Sequence, residues 1–319
     1  MDDELHLRSR DLDVVVTPEW GADIATVRDR HTDSQILYRT PWADSAHRGA
    51  WAPDSQQAWQ AQYRGGWQLL CPNAGDAARV AGGTWGFHGE ASLLRWQVTA
   101  RTRSSAALSV RLSQAPVRIR RNVAVHGPLL RVTDTFVNES RGSVDMAVVH
   151  HPAFGAPLVS PGARIATGAR TLSHHDEPHV RKPWTGSGLC TLPEQGATLA
   201  YLSDFDGHWA SITREDGSLG VVLAWEGSAL PHAWLWFEGR STTALPWFGT
   251  EYVVAVEPAS TIPATGVEKV SRDGGDLITL TGLSRISTTV DLAVHHDPRP
   301  VAGLRPDGTI IFQEKSNVL

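Results

Sequence analysis

The sequence predicts an all-β protein, one large antiparallel β-sandwich spanning residues 1–319 as a single domain. Three observations carry this expectation. More than a dozen short runs are rich in Val, Ile, Leu and Thr, and turn residues separate them. No long segment repeats apolar residues at i, i+3, i+4 and i+7, the period of an amphipathic helix. No low-complexity linker divides the chain, and a large sandwich can absorb this length within one core.

The strand signals run in order from "DLDVVVTP" (11–18) and "QILYRT" (35–40) to the long stretch 92–113. "VRIRRNVAV" (117–125) turns at "HGP" into "LLRVTDTFVNES" (129–140), and "DMAVVHHPAF" (145–154) follows. Val117 and Ile119 alternate with Arg118 and Arg120, a period of two that marks an antiparallel strand with one wetted face. Further on come "ATLAYLSDF", "HWASITRED", "LGVVLAWEG", "HAWLWFEG", "EYVVAVEP", the stretch 277–295 and "GTIIFQEK", with turns at "REDG" and "RDGGD". The least regular segments are 41–90 and 155–196, and long loops on a rigid β scaffold are where a site is usually built.

Composition excludes several function classes. The net charge is −5, and the 29 basic residues form no run longer than "RIRR" at 118–121, so no nucleic-acid footprint is present. The acidic start "MDDELHLRSR" lacks an apolar signal region, and nothing approaches the roughly 18 consecutive apolar residues of a membrane helix. A cytoplasmic protein without a membrane partner is expected. Cys71 and Cys190 stand far apart with no CxxC spacing, which points to two buried thiols. Dinucleotide, P-loop and nucleophile-elbow motifs are absent, so the expected site uses no cofactor.

The chain carries 13 Trp against 4 Tyr and 7 Phe. An indole offers a flat apolar face and one N–H donor, which suits the C–H faces of a sugar ring as well as a core. Its 14 histidines include the pairs His150/His151, His174/His175 and His295/His296. Neighbours on a strand point to opposite faces, so such a pair places only one imidazole in a given site. "HHDEPH" at 174–179 reads as a loop with the composition of either a chelator or a solvated turn, and no metal is assigned.

Four segments together resemble one family: "GFHGEAS" (86–92), residues 117–140, "VVHHPAF" (148–154) and "YVVAVEPAS" (252–260). Their order and spacing are similar to those of the aldose 1-epimerase (galactose mutarotase) family, in its broader branch with "HPxF" and "EP". The resemblance implies a galactose mutarotase-type sandwich and a small sugar substrate whose α and β anomers are interconverted by ring opening. It implies His151 as the acid and Glu257 as the base, on opposite sides of the sugar ring. Taken by itself, His151 reads more readily as a strand histidine that satisfies a backbone carbonyl. His151 carries the "H-P-x-F" register, which leaves His150 to the opposite face.

The resemblance further implies His88 as a sugar contact and leads to Arg64, Trp67 and Asn73 in "QYRGGWQLLCPNAG", although the family's arginine pattern is not reproduced there. Asp206 in "SDFDGHWAS" is an imperfect counterpart of a sugar-binding aspartate, and with Asp204 it equally reads as a turn. Trp236 or Trp234 would wall the pocket or belong to the core. Arg64 and Arg181 are candidates for an anionic substituent. The expected assembly is a monomer or homodimer. A sugar-binding protein without turnover, or an isomerase or lyase acting at another carbon, are the competing functions.

Overall fold

In the computed structural model the chain is described over residues 4–45, 52–185 and 188–314. A 17-stranded sheet dominates, and every pairing within it is antiparallel. Most expected strands appear close to their sequence bounds, as at His232–Gly239, Tyr252–Ala259 and Leu129–Asn138. However, "QILYRT" makes only isolated bridges at Leu37 and Arg39 beyond the short strand Ser34–Gln35, and "DMAVVHHPAF" splits into Val144–Met146 and Val149–Phe154. Two of them merge: "ATLAYLSDF" and "HWASITRED" form one strand, Gly196–Thr213. Its first half pairs with His232–Gly239 and its second with Gly220–Trp225, so one strand links two parts of the sheet. The sheet closes over one continuous apolar core.

The alternation in Val117–His126 continues past Arg120, which sets Arg121 on the buried face. A lone guanidinium there would be costly, and the bidentate partner Asp134 on the neighbouring strand removes that cost at 2.9 and 2.8 Å. Arg121 also donates to Ala22 O at 3.0 Å.

Two helices depart from the sequence expectation. Helix α1 (Ser55–Gln62) lies within the segment read as irregular, and its N-cap Asp54 accepts from the Gln57 amide. Helix α2 (Gly266–Arg272) ends at the "RDGGD" turn. The "HHDEPH" segment also differs from the expected loop. It is a β-hairpin between strands Arg164–His174 and Glu177–Pro183. Cys71 is buried as expected, whereas Cys190 is only half-buried; both are free thiols. No helix among the described residues is long and apolar enough to cross a membrane.

Candidate active site

The histidine strand Val149–Phe154 lies between the strands Trp67–Leu70 and Tyr252–Ala259. Val149 stands opposite Ala259 and Ala153 opposite Ala255, a register that sets His151 opposite Glu257. Beyond Glu257 the register continues to Trp234 and Tyr201, and beyond His151 to Gln68. Residues directly opposite on adjacent strands share a face. The row therefore assembles an imidazole, a carboxyl and an indole from segments that are remote in sequence.

His151 Nε2 lies 3.6 Å from Glu257 Oε1, and both side chains are buried. His151 Nδ1 and Glu257 Oε2 have no hydrogen-bond partner among the described residues. Burial lowers the His151 pKa to about 4 and raises that of Glu257 well above the ordinary carboxylate range. Burial thus favours the uncharged pair, imidazole and carboxylic acid. The two groups are cross-strand neighbours, which corrects the expectation that they flank a sugar ring from opposite sides. Both can still serve one hemiacetal carbon, because its ring oxygen and its hydroxyl are bonded to the same atom.

A cavity of ≈ 260 Å³ opens beside this pair. Its walls are mostly aromatic: Trp59 and Tyr63 near α1, Trp234 and Trp236 on one face of their strand, and Trp247 from the following loop. Trp236 lies 5.8 Å from the His151 ring and 5.1 Å from Trp247 between centroids. Such faces suit the C–H surface of a pyranose. Trp59 is held by its N–H bond to Ser92 Oγ, and Trp234 by its bond to Thr261 O, so both rings are fixed before any ligand arrives.

His88 also lines the cavity. It adopts φ +60° beside Gly89 at φ +71°. A Cβ on Gly89 would lie 2.4 Å from Cys71 O, so only glycine fits this turn. His88 Nδ1 accepts from the Gly75 amide at 3.0 Å, while His88 N donates to Gly75 O. That bond makes Nε2 the protonated nitrogen of the neutral ring. Burial, followed by the nearby His151, holds the His88 pKa well below its usual value.

His150 occupies the opposite face, as the strand geometry requires. It accepts from Trp67 Nε1 at 3.3 Å through Nδ1, and its Nε2 lies 3.2 Å from Thr288 Oγ1 and 3.7 Å from Asp134. Both ring nitrogens are committed to the core, in contrast to those of His151.

Four of the sequence candidates lie outside the cavity. Trp67 is fully buried, and its register opposite Pro152 puts it on the face of His150. Arg64 precedes a glycine pair packed tightly on residues 24–25 and 38–39; it donates to Ala43 O and lies 4.9 Å over the Trp20 ring. Asn73 spends its amide on backbone, donating to Asp76 O and Gly86 O and accepting from Val267 N. It fastens α2 to the loop behind the site. Asp206 is exposed, 3.5 Å from Arg170, and belongs to a separate groove. Arg181, considered for an anionic group, pairs with Asp204.

The sequence reading missed Trp59, Tyr63, Gln56 and Gln60, all at the cavity through α1. The signal that could have found them is "DSQQ" at 54–57, a capping-box pattern at a helix start. His175 was also missed; its Nδ1 meets the Tyr201 hydroxyl, which accepts from the Ala264 amide.

Among solved structures, the chain is similar to the Slr1438 protein from Synechocystis sp. PCC 6803, with a TM-score of 0.74 and 16% identity over 93% of this chain and 97% of that one. A protein from Escherichia coli K12, provisionally assigned as an aldose 1-epimerase, gives a TM-score of 0.70 at 17% identity, covering 93% of this chain and 100% of that one. A galactose mutarotase-like protein from Lactobacillus casei gives 0.67 at 15% identity, over 92% and 100%. The fold is therefore the galactose mutarotase-like β-sandwich that the sequence led us to expect. A search of the curated proteins finds no match. A family model described as "Domain of unknown function (DUF4432)" matches residues 3–294, and the chain belongs to that family.

Proposed function

We propose that this protein is an aldose 1-epimerase-type isomerase that interconverts the anomers of a monosaccharide, with His151 and Glu257 as its acid and base. The observation that carries this reading is the cross-strand pair, 3.6 Å apart, at the wall of a small aromatic cavity. Pure binding has no need for a matched acid and base at the wall of one cavity.

The pair holds one exchangeable proton. Burial by itself favours it on Glu257. Sugar hydroxyls bonding to the carboxylate favour the alternative, imidazolium beside carboxylate. In that form His151 gives its proton to the ring oxygen while Glu257 removes the proton of the C1 hydroxyl, and the C1–O bond to the ring oxygen breaks. Rotation about C1–C2 exposes the other face of the aldehyde. Closure reverses both transfers, so the pair ends each cycle as it began. Each general acid or base contributes roughly 10²–10⁴ in rate.

Exchange NMR on a panel of aldoses tests the proposal directly. Accelerated α/β interconversion is the expected result. Sugars that bind without any acceleration would leave the cavity as a non-catalytic binding site and end this reading.

A further inference from the structure

We propose that the phenolic hydroxyl of Tyr63 hydrogen-bonds a hydroxyl of the bound sugar and thereby helps to select which sugar is accepted. The inference rests on the reading of the cavity as a sugar site and adds a residue to it. Tyr63 is 1% exposed, and its hydroxyl has no hydrogen-bond partner among the described residues. A buried hydroxyl left unpaired costs free energy that a phenylalanine would not incur, so such a group calls for a ligand or an ordered water.

The chain's other tyrosines differ in this respect. Tyr38 donates to Glu251 Oε2 at 2.5 Å, Tyr252 donates to Pro193 O at 2.7 Å, and Tyr201 accepts from the Ala264 amide at 2.9 Å. Tyr63 alone lines the cavity with a hydroxyl that has no partner among the described residues.

Its position is well fixed. The ring stacks on Trp59 with centroids 5.0 Å apart and planes 18° apart, and it stands 5.7 Å from His151 and 6.2 Å from Trp247. Burial, followed by the carboxylates of Glu257 and Asp23, raises its pKa well above the usual phenol value. The group is therefore a donor across the physiological range. His151 Nδ1 and Glu257 Oε2, on two other residues that line the cavity, likewise have no partner among the described residues. Tyr63 follows α1 directly, in the stretch where the resemblance led to Arg64.

The test compares wild type and Tyr63→Phe on neutral aldoses and their monodeoxy analogues, reading kcat/KM by exchange NMR and Tm by calorimetry. Tyr63→Phe should lose about tenfold on the parent sugar. It should lose nothing on the one analogue that lacks the contacted hydroxyl, with Tm unchanged or raised. An equal loss on every analogue, an unchanged kcat/KM on all, or a variant that fails to fold would overturn the proposal, because the hydroxyl would then be structural or idle. If wild type binds sugars without accelerating exchange, ring opening fails alone, and the same comparison made on Kd by saturation-transfer NMR decides Tyr63. Binding to no sugar at all ends both.

Discussion

His151 and Glu257 face each other across two antiparallel strands, Nε2 to Oε1 at 3.6 Å, and each has one polar atom without a partner among the described residues. Proton transfer through this pair leads to the first prediction. His151→Ala and Glu257→Gln should each slow anomer exchange by about 10²–10⁴. Groups acting as a unit are not additive, so the double variant should be little worse than the more impaired single one. Exchange NMR measures all three, and a fully active double variant would remove the pair from the mechanism.

Glu257 should also limit stability. Its folded pKa is raised by burial, so the folded state binds a proton that the unfolded state releases as pH rises above the ordinary carboxylate value. Stability conferred by the protonated form is complete below that value and is lost as pH rises through the folded pKa. Glu257→Gln abolishes this titration. Its Tm should exceed that of wild type at pH 7, by a margin that grows from about pH 4.5 upward. Equal Tm profiles from pH 4 to 8 would contradict the burial argument.

His151 and His150 titrate with the opposite sign. Burial depresses each to about 4, for His150 against the opposing pull of Asp134. Between about 4 and the ordinary histidine value of 6.5 the unfolded state binds more protons, so their contribution is complete above 6.5 and is lost as pH falls to about 4. His150→Ala leaves the Trp67 N–H without its acceptor and opens a void beside the Arg121–Asp134 pair. It should cost about 2–4 kcal/mol in urea unfolding and retain activity per folded molecule, whereas His151→Ala loses activity.

Charge in the cavity predicts its selectivity. Among the described lining residues there is no Arg or Lys, whereas Asp76 and Glu257 are present. An anion brought into this setting loses hydration without gaining a cation. Uncharged aldoses should therefore exceed uronic acids and sugar 6-phosphates in kcat/KM by at least about tenfold, a difference of about 1.4 kcal/mol. A uronic acid processed as well as its parent aldose would overturn this.

Local pattern made some of the site legible. Strand alternation separated His150 from His151, whereas Glu257 was named through the resemblance of "YVVAVEPAS". The same alternation, carried across the pairing to Pro152, turns Trp67 away from the cavity, which the sequence alone did not reveal. The resemblance led to Arg64, but the glycine pair after it packs on residues 24–25 and 38–39 and its guanidinium donates to Ala43 O away from the cavity. Helix α1 escaped because Gln and Ala give it no apolar period; Trp59 is its one buried residue.

The sequence by itself determined the all-β class, many strand positions and which neighbours within a strand face opposite ways, because a period of two is a local property of the chain. Only the tertiary structure decided that His151 meets Glu257, more than 100 residues away. It also decided that α1 brings Trp59 and Tyr63 to them while Arg64, Asn73 and Asp206 face elsewhere. Register between distant strands is set by long-range pairing and burial, and no short window of sequence contains it.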